Sequence, residues 1–114
     1  LYVNGKLTLG ENIADLGGIL IAYDGLKLAL GENAGKNLIN DLTPEQRFFV
    51  NYAISWRYQQ REELARLRLQ TDPHSPSYSR VNGPLADLPE FYAAFKCNQG
   101  NKLWRSPEDR VAVW

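Results

Sequence analysis

Between Gly10 and Leu30, the residues Ile13, Leu16, Leu20, Tyr23 and Lys27 recur at intervals of three and four, with Ile19, Leu26 and Leu30 beside them. That spacing is helical, and the apolar stripe is wide enough to predict a helix buried over most of its circumference. The rest of a 114-residue chain must then build a single core around it, which excludes a two-domain enzyme with a cleft between halves. Gly17 and Gly18 stand in the middle of this helix, at a cost of about 1 kcal/mol each relative to Ala. They predict a neighbour packed close against the backbone there. Gly31-Glu32-Asn33-Ala34-Gly35 supplies the stop.

A second helix is announced by Thr43 as N-cap, Pro44 at the first helical position and Gln46 three residues after the cap, the pattern of a capping box. Phe48, Phe49, Tyr52, Ala53 and Trp56 form its aromatic stripe. Beyond Tyr58 charged residues surround Leu64, Leu67 and Leu69, so the helix either continues as a solvated amphipathic arm or breaks near Gln59 and resumes. The prolines of Thr71-Asp72-Pro73-His74-Ser75-Pro76-Ser77 end it. An extended piece is expected at Tyr78 to Val81, then a turn at Asn82-Gly83-Pro84. A third helix is expected with Asp87 as cap, Glu90 three later, and Phe91, Phe95 and Cys97 near one face. In the tail, Trp104, Val111, Val113 and Trp114 are expected to dock. The chain thus reads as mainly α, about three main helices plus loops.

Thirteen Lys and Arg balance thirteen Asp and Glu, which speaks against a nucleic-acid or anionic-membrane surface. The stretch Leu16 to Leu30 is too short to span a bilayer and carries Asp24 and Lys27. Cys97 stands alone, so it forms no intrachain disulfide and reads as a small buried hydrophobe. No Met is present, and the chain reads as lacking its native start, which leaves localisation open.

Glu11 and Asp15, four apart, project from one helix face and repel unless a cation compensates. Two readings stand. Acids favour the first turn of a helix because of its dipole, or Glu11 binds a metal while Asp15 orients a neighbouring histidine ligand. His74 and Arg80, taken singly, are ordinary loop residues; together they are two donors on a rigid segment, suited to an oxyanion and a substrate carbonyl. Trp56, with its aromatic neighbours, reads as core ahead of pocket wall. A catalytic zinc needs three protein ligands, typically two His and one Glu in peptidases, and this chain has one His and no H-E-x-x-H. Alone it cannot build that site.

Glu11-Asn12-Ile13-Ala14-Asp15-Leu16-Gly17-Gly18, His74-Ser75-Pro76, Arg80-Val81-Asn82-Gly83, Phe91-Tyr92-Ala93-Ala94-Phe95-Lys96-Cys97 and the closing Val113-Trp114 occur in order along nearly the whole chain. Together they resemble the C-terminal end of the neprilysin family of zinc metalloendopeptidases, which includes endothelin-converting enzymes and bacterial oligopeptidases. The resemblance implies the C-terminal helical portion of a thermolysin-like catalytic domain, with residues 1–114 one fragment of it and the H-E-x-x-H part N-terminal to Leu1. It implies zinc as cofactor, Glu11 as third ligand, and Asp15 as the acid holding a zinc-ligating histidine. His74 would be the transition-state stabiliser, Arg80 the contact to a substrate carbonyl, and Trp56 part of the hydrophobic pocket after the scissile bond. The implied activity is metal-assisted hydrolysis of oligopeptides, absent from the isolated fragment. The family's animal members carry a cysteine three residues before the final Trp; here Val111 stands there, which implies a disulfide-poor, bacterial-type member. The implied partners are peptide substrates and the remainder of the catalytic domain, and a fragment with an exposed core face is open to non-native self-association. The competing reading is a non-catalytic helical interaction domain that keeps the family shape.

Overall fold

The computed structural model describes residues 2–114; Leu1, where the sequence suggests a missing start, lies outside them. It contains five helices: α1 (Gly5–Leu30), α2 (Pro44–Ser55), α3 (Glu62–Thr71), α4 (Ser77–Leu85) and α5 (Pro89–Phe95). Short 3-10 turns lie at Gly31–Asn33 and Pro107–Asp109, and no strand forms among the described residues. The mainly helical class holds, with two helices more than the sequence suggests.

α1 starts five residues earlier than its apolar period indicates, because the Asn4 side chain caps it by accepting from the amides of Lys6 and Leu7. Its end falls at the expected place: Gly31 adopts φ 51°, which a Cβ would disfavour, and its amide closes on the Lys27 carbonyl. Gly17 has the close neighbour its position predicts, since a Cβ there would meet the Trp114 ring at 3.1 Å. Gly18 has none and is exposed.

α2 carries the capping box read from its sequence, with Thr43 Oγ1 accepting from the Gln46 amide at 3.2 Å and Gln46 Oε1 accepting from the Thr43 amide at 3.0 Å. Gln46 Nε2 also donates to the Ala94 carbonyl and ties α2 to α5. The helix stops at Ser55 and α3 resumes at Glu62 without a buried residue, so the break is the correct alternative for this arm.

The segment expected to be extended and then to turn is α4, and the Asn82-Gly83-Pro84 turn lies inside it, with Pro84 in the helix. Pro76 enters the helix from φ −55°, ψ 150° as a cap that needs no side-chain bond. α5 begins at Pro89 with Leu88 as N-cap, not Asp87. The buried Asp87 accepts from Arg105 Nη1 at 2.7 Å and the Val111 amide at 3.1 Å, a tertiary use that outcompetes a cap. Cys97 lies beyond α5, half-buried. In the tail, Trp104 and Val113 are half-buried and Trp114 lies on α1, whereas the Val111 side chain is exposed.

Leu16, Ile19 and Tyr23 of α1 meet Phe49 of α2, Leu85 of α4 and Leu88 in the core. Tyr23 stacks on Phe49 at 5.3 Å, and Phe91 meets Phe49 edge-on at 5.5 Å. This core fixes α4 against α1. Ile13, Ile21 and Leu28 nevertheless remain exposed, so α1 is apolar on a face that nothing among the described residues covers. No described helix is long and apolar enough to cross a membrane.

Candidate active site

Because α1 begins at Gly5, Glu11 and Asp15 lie in its second and third turns, beyond the reach of the N-terminal dipole. The dipole explanation for the acidic pair therefore fails, and for Asp15 a cationic partner replaces it. Asp15 receives Arg80 in a fork, Nε donating to Oδ2 at 2.7 Å and Nη2 to Oδ1 at 2.6 Å. The two side chains are 11% and 16% exposed, which makes this a largely buried pair. The bond to Asp15 raises the Arg80 pKa above its ordinary value. On its other side the guanidinium lies 4.0 Å from the centre of the Trp56 ring.

One turn away, His74 Nε2 lies 3.2 Å from Glu11 Oε2 and Nδ1 lies 2.8 Å from Asp72 Oδ1. Asp72 also accepts from the His74 amide at 2.9 Å, closing an Asx turn over Pro73. These backbone and side-chain bonds, in that order, lower the Asp72 pKa. A neutral imidazole has one N–H and satisfies only one of the two carboxylates; the doubly protonated ring satisfies both.

Ser75 fixes this loop to α1. Its hydroxyl is buried and donates to Asn12 Oδ1 at 2.7 Å, while Asn12 Nδ2 donates to Thr8 Oγ1 at 3.1 Å. Three side-chain links thus join α1 to the 74–80 segment: Glu11 to His74, Asn12 to Ser75, and Asp15 to Arg80. Positions 11, 12 and 15 share one helix face. All five candidate residues, Glu11, Asp15, Trp56, His74 and Arg80, therefore belong to one connected cluster. Sequence reasoning had missed Asn12, Ser75 and Asp72 as its supports. The first two were visible only as members of the quoted motifs, and Asp72-Pro73-His74 carried the Asx-turn signal. A groove of about 390 Å³ opens beside Asp15 and Arg80, lined also by Asn12, Ser75, Gly83 and Arg105.

Among the described residues no three His, Cys, Asp or Glu side chains converge as a metal site. Glu11, half exposed, fits the part of a single oxygen ligand. The donor set is incomplete, and a zinc ion would need its other ligands from outside these residues.

The model of peptidase family M13 matches residues 2–111. The chain is 46% identical over its full length to neprilysin-1 of Caenorhabditis elegans and 41% identical over 98% of its length to the neutral endopeptidase of Lactobacillus helveticus, covering 15% and 16% of those proteins. Its fold matches the zinc metalloprotease ZMP1 of Mycobacterium tuberculosis with a TM-score of 0.94 and 41% identity, over 99% of this chain and 17% of that one. The chain therefore spans about a sixth of the length of the relatives it matches. On the family match and these identities together, the chain belongs to peptidase family M13, the neprilysin family of metalloendopeptidases.

Proposed function

We propose that this chain is the C-terminal part of the catalytic domain of a zinc-dependent endopeptidase acting on oligopeptides, and that it has no activity by itself. The observation that supports this best is the cluster in which Glu11, Asp15, His74 and Arg80 lie linked on one face, with Trp56 stacked behind the arginine. With Glu11 as one of three ligands and the single His assigned to the oxyanion, two zinc ligands come from elsewhere. We place them on an H-E-x-x-H helix N-terminal to Leu1, in the remainder of the domain.

Bound zinc supplies the Lewis acid that makes a water nucleophilic near neutral pH. Glu11 contributes one ligand oxygen. Each Asp15 oxygen keeps a lone pair beyond its bond to Arg80, enough to accept from the outer ring nitrogen of a ligating histidine. Of the five guanidinium N–H groups of Arg80, two are engaged by Asp15 and three remain for a substrate carbonyl. His74, held at Nδ1 by Asp72, offers Nε2–H to the oxyanion of the tetrahedral intermediate. Trp56 forms part of the wall for the side chain after the scissile bond.

The test is Glu11→Gln in the full-length protein, with zinc content measured by elemental analysis and hydrolysis followed on a quenched fluorescent peptide. Loss of both zinc and hydrolysis is expected. Undiminished zinc would remove Glu11 from the ligand set. A wild-type protein that holds no zinc and cleaves no peptide would instead favour the helical interaction domain.

A further inference from the structure

In an unbroken helix the carbonyl of residue 80 receives the amide of residue 84. Here residue 84 is proline, which has no N–H, so α4 leaves the Arg80 carbonyl without its helical donor. The donor comes from another helix: the Tyr52 hydroxyl of α2 bonds the Arg80 carbonyl at 2.9 Å. Tyr52 also sets its ring edge-on to Trp56, 6.3 Å between centroids, and Trp56 carries the Arg80 guanidinium on its face at 4.0 Å. One tyrosine thus holds Arg80 from both ends, its main chain by a hydrogen bond and its side chain through the indole.

We infer that Tyr52 is a positioning residue for Arg80, and that its hydroxyl replaces the hydrogen bond that Pro84 removes from α4. The inference rests on the reading of Arg80 as a substrate contact. The Tyr52 side chain is half-buried, where an unmatched polar group is costly, and the Arg80 carbonyl is the acceptor for its hydroxyl. Without it, the fourth residue of α4 has a free carbonyl directly beneath the guanidinium that grips Asp15, and the helix is free to unwind at the Gly83-Pro84 step. Loosening there swings the fork rather than removing it, so the effect falls on substrate binding more than on the chemical step.

The pairing gives a selective test, because alanine at position 84 restores the missing N–H. Four full-length proteins are compared: wild type, Tyr52→Phe, Pro84→Ala and the double variant. Tyr52→Phe is expected to lower kcat/KM for a peptide substrate about fivefold to tenfold, chiefly by raising KM, which is the scale of one lost buried hydrogen bond. Pro84→Ala is expected to stay near wild type, and the double variant to recover most of what Tyr52→Phe loses. Equal losses from Tyr52→Phe in both backgrounds would overturn the inference, and would mean that the hydroxyl contacts substrate itself or acts only through bulk packing. Denaturant unfolding of the same four proteins separates this from a failure of the peptidase reading. If the wild type cleaves nothing, that reading falls. Coupling of positions 52 and 84 in stability then still supports the hydrogen-bond replacement, and its absence overturns it.

Discussion

Replacing Arg80 by methionine keeps the length of the side chain and removes both its charge and its fork. The Asp15 carboxylate then stays 11% exposed on the inner face of α1 with neither of its two short bonds, at 2.7 and 2.6 Å. Breaking a buried ion pair from one side costs about 3–5 kcal/mol, since the remaining charge keeps its desolvation penalty. The guanidinium stacked at 4.0 Å on Trp56 adds about 1 kcal/mol. The groove beside the pair lets water reach the freed carboxylate, which brings the net loss to about 3–4 kcal/mol. Arg80→Lys keeps the charge but not the fork, and about half that loss is expected. The assay is urea unfolding of the full-length protein, read at the transition that carries the tryptophan emission, with the slope checked for constancy across variants. The Lys27–Asp24 pair is the internal control: both side chains are more than half exposed, so Lys27→Met should leave the midpoint where it is. Raising the salt to about 1 M should abolish any effect at Lys27 and leave most of the effect at Arg80. A loss at Arg80 below about 1 kcal/mol, or one that salt removes, would show a solvent-screened pair and refute the argument.

Three further outcomes follow from the same geometry. His74→Ala in the full-length protein should lower turnover about 10²–10³-fold while zinc content stays constant, and parallel loss of both would make His74 structural. The 114-residue chain alone, with one His and no convergent trio of ligand side chains among its described residues, should bind zinc weakly and without defined stoichiometry; calorimetry that finds one tight site contradicts this. Burial first, and then the negative charge of Asp15, raise the Tyr52 pKa above its ordinary 10.0, so its neutral hydroxyl is favoured in the folded state. Its contribution is therefore complete below pH 10.0 and is lost as pH rises through the raised value. The stability difference between wild type and Tyr52→Phe, from urea midpoints between about pH 8 and about pH 11, should be flat at first and then shrink; a constant difference throughout would deny the hydroxyl this role.

How much of this was legible in the sequence depended on how far each signal had to reach. The periodicity of α1 and the capping box of α2 are local, and both elements appear where they were read. The start of α1 was misplaced because Asn4-Gly5-Lys6 carries no apolar period, although Asn4 is a good cap. Asp87 and the Asn82-Gly83-Pro84 step carry equally clear local signals, for a cap and for a turn, and both were overruled from a distance. Asp87 is taken by Arg105 and Val111, eighteen and twenty-four residues on. Pro84 stays helical because Tyr52, twenty-eight residues before Arg80, supplies the bond it lacks. The candidate site divides in the same way. Spacing put Glu11 and Asp15 on one face but left two explanations open, and the start of α1 at Gly5 removes the dipole one. Neither spacing nor the family motifs gave the fork between Asp15 and Arg80, which joins residues sixty-five positions apart.

The polar site and the apolar core are two sides of the same contact between α1 and α4. On α1, Asp15 turns toward Arg80 while its neighbour Leu16 enters the core; on α4, Arg80 turns toward Asp15 while Val81 and Leu85 pack against the core. A helix of 3.6 residues per turn allows this only if the two helices keep one rotational setting relative to each other. The polar links cannot be the source of that setting, because net hydrogen-bond gains are small and a buried ion pair gives little net stability. Leu16, Ile19 and Leu85 supply it through area removed from water, and the links at residues 11, 12 and 15 then take up positions the core has already fixed. A cavity at Leu85 should therefore reach the fork without touching it, whereas loss of the Asn12–Ser75 bond should free the His74 loop and leave the core intact. Precision at the site is thus inherited from packing, and the polar links tie together what the core has already aligned.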